Sequence, residues 1–220
     1  MDKLDLRKKY PELYAPKTSP CIIDIPAMKF IKVDGKGNPN TPGGEYQKAV
    51  ELLYALCYTI KMGLKSAKAT PSGYMDYSVP PLEGLWWLGD LKDMDITKKD
   101  NYHWCSMIRQ PDFITEDIFH AAKESVRKKK PGLVVDLARF ESFQEGLCVQ
   151  IMHHGAYHEE PVSVEKMDAY IQAQGYVTDF GSLTPEGHVR THHEIYLTQP
   201  NPTNPGKMRT ILRHPVRPLT

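Results

Sequence analysis

The sequence predicts an α+β fold built as a tandem pseudo-two-fold repeat of β-α-β-β modules. The sheet is expected to be curved and largely antiparallel, with helices on one face and a ligand cleft on the other. Three observations lead there. Residues 191–213, THHEIYLTQPNPTNPGKMRTILR, alternate with period two before and after a turn-rich connector, as two strands of a two-faced sheet would. Each half of the chain runs strand, glycine turn, helix, strand, strand. Each half also closes on an apolar-apolar-Arg-polar-Pro ending, Met107-Ile108-Arg109-Gln110-Pro111 in the first and Ile211-Leu212-Arg213-His214-Pro215 in the second. One module alone would leave a sheet face poorly covered, whereas two form a continuous sheet.

Residues 1–20 read as a polar lead-in with Pro11 and Pro16, and 21–220 as one domain. Module one covers about 21–111, a linking helix 112–131, and module two about 133–217. In module one, 21–33 is apolar and β-branched enough for a strand, and the turn residues of 34–40 end it. Residues 45–64 follow as a helix, because Ala49, Leu52, Leu53, Leu56 and Ile60 recur at helical spacing and make one buried stripe. Extended segments come next at 74–79, 83–88 and 101–109, the last closed by Pro111. Thr115 is the N-cap of the linking helix. Glu116 and Asp117 sit in its first turn, where the helix dipole favours acids, and Arg127-Lys128-Lys129-Lys130 complement its other end. Module two offers a short strand at 133–137, a strand at 146–154 and a helix at 163–174, with Ser163 as N-cap and Gly175 as stop. A hairpin over 190–213 completes the chain. Its connector, 201–206, cannot continue a ladder, because its prolines lack donors and its Asn and Gly residues favour turns.

Composition removes several function classes. The chain has 28 basic and 27 acidic residues, which does not suit a protein whose main task is gripping a phosphate backbone. No apolar run approaches the roughly 20 residues that span a membrane. The N-terminus is charged throughout and has no stretch like that of a signal peptide. Cys21, Cys57, Cys105 and Cys148 are far apart, with no CxxC pair, and are expected to be reduced. A cytoplasmic protein is the expectation, with neither nucleic acid nor membrane as partner.

Within the terminal hairpin, His192, Glu194 and Tyr196 share one face, and Ile195 and Leu197 the other. An imidazole, a carboxylate and a phenol in a row form either an ordinary solvated face or the floor of a site. Other patterns resolve to structure. Ser163-Val164-Glu165-Lys166 matches S-x-x-K, but no SDN or KTG segment follows, so a helix cap accounts for it. His153, His154, His158, His192 and His193, with Glu159 or Glu160, raise the question of a metal. Both adjacent pairs should split across two strand faces, and Gly155 interrupts the interval a helix would need, so no metal is expected. Asp34-Gly35-Lys36-Gly37 is a plain turn, too short for a phosphate loop.

The segments HHEIYL, ILRHPV, LEGLWWLGD and WCSMIRQPDF, with the proline-rich connector, together resemble the GyrI-like small-molecule-binding family over roughly 21–217. The resemblance implies tandem β-α-β-β modules with a pocket between them for flat, often cationic lipophilic molecules. More narrowly, the chain resembles stand-alone members without a DNA-binding segment. Some of these hydrolyse cyclopropane-bearing DNA-alkylating natural products of the yatakemycin and duocarmycin type. The resemblance assigns the pocket acid to Glu194 and aromatic walls to the Trp86–Trp87 pair and to Trp104. Neighbours in a strand point oppositely, and Trp87 is taken as the pocket-facing member. Tyr157 is a wall candidate by its position, and His192 by its face.

In the implied chemistry Glu194 deprotonates a water that attacks the activated cyclopropane carbon. Tyr196 positions that water or donates to the oxygen on which charge develops. No metal, nucleotide or other cofactor is required. The alternative is a non-catalytic protein that sequesters lipophilic drugs or modulates gyrase.

Overall fold

The structure is a computed structural model that describes residues 3–89, 99–198 and 204–219. Strands are β1 (Cys21–Ile25), β2 (Met28–Lys36), β3 (Leu82–Trp87), β4 (His103–Arg109), β5 (Ala138–Phe143), β6 (Gly146–His154), β7 (Tyr176–Thr178), β8 (His192–Tyr196) and β9 (Arg209–Pro218). Helices are α1 (Leu6–Lys9), α2 (Pro11–Tyr14), α3 (Glu45–Ser66), α4 (Glu116–Lys129) and α5 (Glu160–Ala173). Antiparallel pairing gives the order β1-β6-β9-β8-β3-β4-β2-β5, with β7 added on β9.

Outward from the middle, module one runs β3-β4-β2 and module two runs β8-β9-β6. The two halves share one strand order, as the matching Arg-polar-Pro endings predict. They meet where β3 pairs with β8, with Gly84 opposite Glu194 and Trp86 opposite His192. The outermost strands are exchanged. β1 leads into module one but pairs with β6 of module two, and β5 leads into module two but pairs with β2 of module one. Each module is therefore flanked by the other's lead-in strand.

α3 and α5 lie on the same face of the sheet. Leu52, Leu53 and Leu56 of α3 pack on Ile31, Val33 and Ile108, and Met167 and Ile171 of α5 pack on Val149, Ile151 and Leu212. Full burial of each such side chain stabilises by roughly 1.5–3 kcal/mol. The opposite face carries Phe30, Met107, Ile195 and Ile211 and is covered by the N-terminal arm through Leu6, Leu13 and Tyr14. The segment that reads as a polar lead-in thus buries Leu6, Leu13 and Tyr14, with Leu4 and Tyr10 partly buried beside them.

That arm is also held by polar groups. Arg213 donates to the Leu13 carbonyl at 2.6 Å and to Gln150 at 3.0 Å, and Tyr14 donates to Glu83 at 3.2 Å. His193 bridges Glu145 at 3.0 Å and Glu83 at 3.1 Å.

Several element expectations change. Pro26 and Ala27 divide the 21–33 strand into β1 and β2, since proline contributes no donor to a ladder. Residues 74–79 hold an isolated bridge at Tyr77 and no strand. Residues 133–137 end in a 3-10 turn, and the strand begins after them as β5. Pro161 sits in the first turn of α5, which starts at Glu160, so Ser163 lies inside the helix and is not its cap. Its hydroxyl is buried 2.9 Å from His153 Nδ1. Residues 201–203 of the proline-rich connector lie outside the described residues. All four cysteines are unpaired, and among the described residues no helix is long and apolar enough to cross a membrane.

Candidate functional site

The polar row of β8 faces the helices. The expected cleft on the opposite face is instead a packed seam under the N-terminal arm. The reason lies in where the helices rest. α3 packs on β2 and β4, and α5 on β6 and β9, so the central strands β3 and β8 run between the two helices. His192, Glu194 and Tyr196 point into that gap. They are not a solvated face, since the His192 side chain is 7% exposed and that of Glu194 14%.

Aromatic rings close around the carboxylate. Tyr46, in the first turn of α3, packs at 5.3 Å on Trp86 and edge-on at 5.2 Å on Trp104. Trp86 Nε1 donates to the Tyr196 hydroxyl at 2.9 Å. Tyr157, on the turn before α5, meets the Tyr196 ring edge-on at 5.9 Å and is 36% exposed, which makes it the solvent side of the group. Gly84 is required here, because an added Cβ would come within 2.6 Å of Trp86 Nε1 and 3.2 Å of the Tyr196 hydroxyl. Trp87 points the other way and stacks on His103 at 5.8 Å, so Trp86 and not Trp87 faces the site. The phase follows from the register, in which Trp86 is paired with both Trp104 and His192.

Behind the carboxylate stands an imidazole pair. His192 Nε2 lies 3.1 Å from Glu194 Oε1, and His192 Nδ1 lies 2.7 Å from His214 Nε2. Burial, and then His192, push the His214 pKa well below its ordinary value. Glu160, the first residue of α5, completes the cluster. Burial and the neighbouring Glu194 carboxylate raise the Glu160 pKa well above the usual range. Burial first and Glu194 second also raise Tyr46, Tyr157 and Tyr196, so all three are neutral phenols at ordinary pH.

Ligand atoms of Glu160, His192 and Glu194 lie within 4.8 Å of one another, close enough to hold a cation. The adjacent histidines split as expected, His192 and His153 inward on the helix face and His193 and His154 away from it. The set that converges is a different one, with Glu160 in place of a second histidine.

The sequence gives Tyr46 and His214 no site role and Glu160 only that of a possible carboxylate ligand to a metal that is not expected. Tyr46 had a usable signal, since it continues the Ala49 and Leu53 stripe one turn earlier. His214 had one too, in the alternation of the ILRHP ending. The place of Glu160 beside Glu194 was hidden by putting the helix start at Ser163.

A groove of about 780 Å³ between α3 and α4 involves Tyr54, Tyr58 and Met62. It gathers no buried acid or base, unlike the gap around Glu194.

The GyrI-like small molecule binding domain family matches residues 18–217. The chain belongs to that family. This GyrI-like chain is therefore a small-molecule-binding domain, and the gap between its helices is where its chemically equipped side chains meet. Among solved structures, a hydrolase from Listeria innocua is 44% identical, covers 98% of this chain and 100% of its own, and superposes with a TM-score of 0.83. An uncharacterized conserved protein from the same organism is 46% identical over the same shares, with a TM-score of 0.87. A second hydrolase structure from Listeria innocua is 45% identical, again over 98% and 100%, with a TM-score of 0.85. The EcmrR C-terminal domain, at 12% identity and a TM-score of 0.52 over 91% and 98%, shares the fold alone. No curated protein matches the chain.

Proposed function

We propose that this GyrI-like protein hydrolyses flat, lipophilic DNA-alkylating compounds that carry a reactive cyclopropane, and so protects the cell that makes it. One observation carries the reading: Glu194, nearly buried, lies among aromatic rings with His192 hydrogen-bonded behind it. Two Listeria innocua relatives named hydrolases, at 44% and 45% identity, support hydrolysis in general. The protein would act in the cytoplasm and without a cofactor. Module one (21–111) and module two (133–217), joined by the helix over 112–131, would supply the two walls.

Glu194 takes a proton from water, and the water oxygen bonds to the cyclopropane methylene carbon. The ring C–C bond breaks, and its electron pair passes through the conjugated ring to the carbonyl oxygen, which becomes a phenol on protonation. Tyr196 accepts from Trp86 and turns its own O–H to Glu194, where it would orient the water at that carboxylate or swing to the developing oxyanion. Trp86, Trp104, Tyr46 and Tyr157 would hold the flat substrate by their ring faces.

The test is turnover in ¹⁸O-labelled water with a panel of cyclopropane-containing alkylators, read by mass spectrometry. Product in many-fold excess over protein, carrying one labelled oxygen, is the expected result. Protection that stops at one equivalent would overturn hydrolysis and favour a second reading, a sequestering binder. A carboxylate among aromatic faces would serve that role for a cationic ligand.

A further inference from the structure

We infer that Glu160, His192 and Glu194 form a binding site for one divalent transition-metal ion, with zinc as its simplest occupant. The inference stands on geometry and holds for a binder as well as for an enzyme. In the reaction proposed above the ion is no cofactor, because it would take the carboxylate lone pair that must accept the proton of water.

His192 and Glu194 lie two residues apart on one face of β8, and Glu160 opens α5. Each offers one ligand atom, and the three atoms lie within 4.8 Å of one another. Tetrahedral zinc, with bonds of about 2.0–2.2 Å, holds its ligand atoms roughly 3.5 Å apart. His192 Nε2 and Glu194 Oε1, at 3.1 Å, are already close to that spacing. Glu160 must close the remaining gap, and its Oε1 is free to do so, since no hydrogen bond holds it. That oxygen is also what points to a ligand. Glu160 is 8% exposed, and a buried carboxylate oxygen without a partner is costly. A doubly charged ion between the two carboxylates supplies the missing partner, and with a neutral imidazole the charges sum to zero.

The surroundings meet the other requirements of a metal site. A ligating imidazole needs its second nitrogen held by a partner. His192 Nδ1 lies 2.7 Å from His214 Nε2, so with its proton on Nδ1 it donates there and turns the Nε2 lone pair to the ion. The hydrogen bond between His192 and Glu194 is then exchanged for one bond from each to the ion. His214 keeps its own proton on Nδ1, buried without a partner, which weakens the site but does not close it. Tyr157 is 36% exposed and the Glu194 side chain 14%, so an ion has a way in from that side. One nitrogen and two oxygens suit zinc, iron or nickel, whereas calcium and magnesium take six or more ligands that are nearly all oxygen. Three protein ligands also leave a fourth position open, to water or to an oxygen of a bound molecule.

Calorimetry with Zn²⁺ on the whole protein, first stripped with a chelator, tests this without any turnover. One equivalent should bind. X-ray absorption at the zinc edge should show one imidazole and at least two oxygens at about 2.0–2.2 Å, and no sulfur. Glu160→Gln keeps the side-chain size and should weaken zinc by about 100-fold or more, since losing even the partner of a ligand costs about 10–100-fold. His214→Phe removes only the partner of His192 and should weaken zinc by about 10–100-fold. His154→Ala, exposed on the other face of the sheet, should leave the affinity unchanged. Should Glu160→Gln fail to fold, the zinc-edge spectrum decides the ligand set on the wild type. No zinc binding would overturn the inference, and an ammonium from elsewhere in the chain already seated between the carboxylates would give that result. So would a zinc bound by two or more imidazoles, or equal affinity in wild type and folded Glu160→Gln. None of these outcomes depends on whether cyclopropanes are hydrolysed.

Discussion

Trp86 of β3 donates its indole N–H to the hydroxyl of Tyr196 on β8, at 2.9 Å, and so joins the two modules on the helix face. The partners are 110 residues apart in sequence. The bond fixes the lone pairs of the phenol and turns its proton toward the Glu194 side. Trp86→Phe keeps a ring against Tyr46 but removes the donor. It should cost about 1 kcal/mol of stability, the net worth of one hydrogen bond, and lower turnover or ligand affinity by about tenfold. Trp87→Phe, on the other face, should leave the site unchanged. Side-by-side kinetics of the two variants check this, and equal losses would remove Trp86 from the site.

Gly84 gives a steric test of the same contact. A methyl group there would stand 2.6 Å from Trp86 Nε1, closer than real Cβ contacts allow. Gly84→Ala should push the indole off Tyr196 and destabilise the fold by about 1–3 kcal/mol, the usual range for overpacking. Activity should fall more than the loss of folded protein explains. Thermal melts beside activity per folded molecule would show the difference, and unchanged activity would mean that the indole relaxes at no cost.

Local geometry was legible in the sequence, and long-range packing was not. Period-two alternation is a property of one strand, so it grouped His192, Glu194 and Tyr196 correctly without any tertiary knowledge. Which side of the sheet meets the helices depends on α3 and α5 resting over the outer strands of each module, and no pattern within β8 reports that. The choice between Trp86 and Trp87 depends on register against Trp104 and His192, which is again non-local. β5 escaped notice because Arg139, Glu141 and Ser142 look solvated. Its polar side chains pair across the sheet, Glu141 with Lys32 and Arg139 with Asp34, as befits an outermost strand. The buried role of the first 20 residues was equally invisible, since Leu6, Leu13 and Tyr14 form too short a pattern to announce a core.

His193 makes a prediction about pH. Burial alone would lower its pKa, but Glu145 and then Glu83 outweigh burial and hold it at about 9. Glu145 is likewise raised by burial and lowered more by His193 and Arg213, to about 2. A raised imidazole pKa contributes stability that is complete below the ordinary value near 6.5 and is lost as pH climbs through about 9. The depressed carboxyl contributes stability that is complete above its ordinary 4.5 and is lost as pH falls toward 2. Denaturant midpoints should therefore peak between these limits and decline from neutral pH toward pH 9. His193→Gln removes the cation between two buried carboxylates, leaving Glu83 to Tyr14 and Glu145 to Arg213, and should cost about 3–5 kcal/mol. A midpoint that is flat between pH 6 and 9 in the wild type would show that the bridge is not ionic.

Glu194 decides what the site does. Glu194→Gln keeps the side-chain volume and the reach to His192 but removes both the charge and the base. If Glu194 activates water, turnover should fall by about 10²–10⁴, the typical contribution of a positioned base, while a neutral flat aromatic binds as before. His192 can turn its acceptor or donor toward the amide, so the fold should survive, and circular dichroism would confirm that. If the carboxylate serves only to draw cations, affinity for a flat cation should drop and neutral ligands should be unaffected. Unchanged turnover and unchanged cation affinity in folded protein would remove Glu194 from the site. The reading of the helix-side gap as a site would then fail with it, because the other polar groups there, Glu160 and His192, are arranged around that carboxylate.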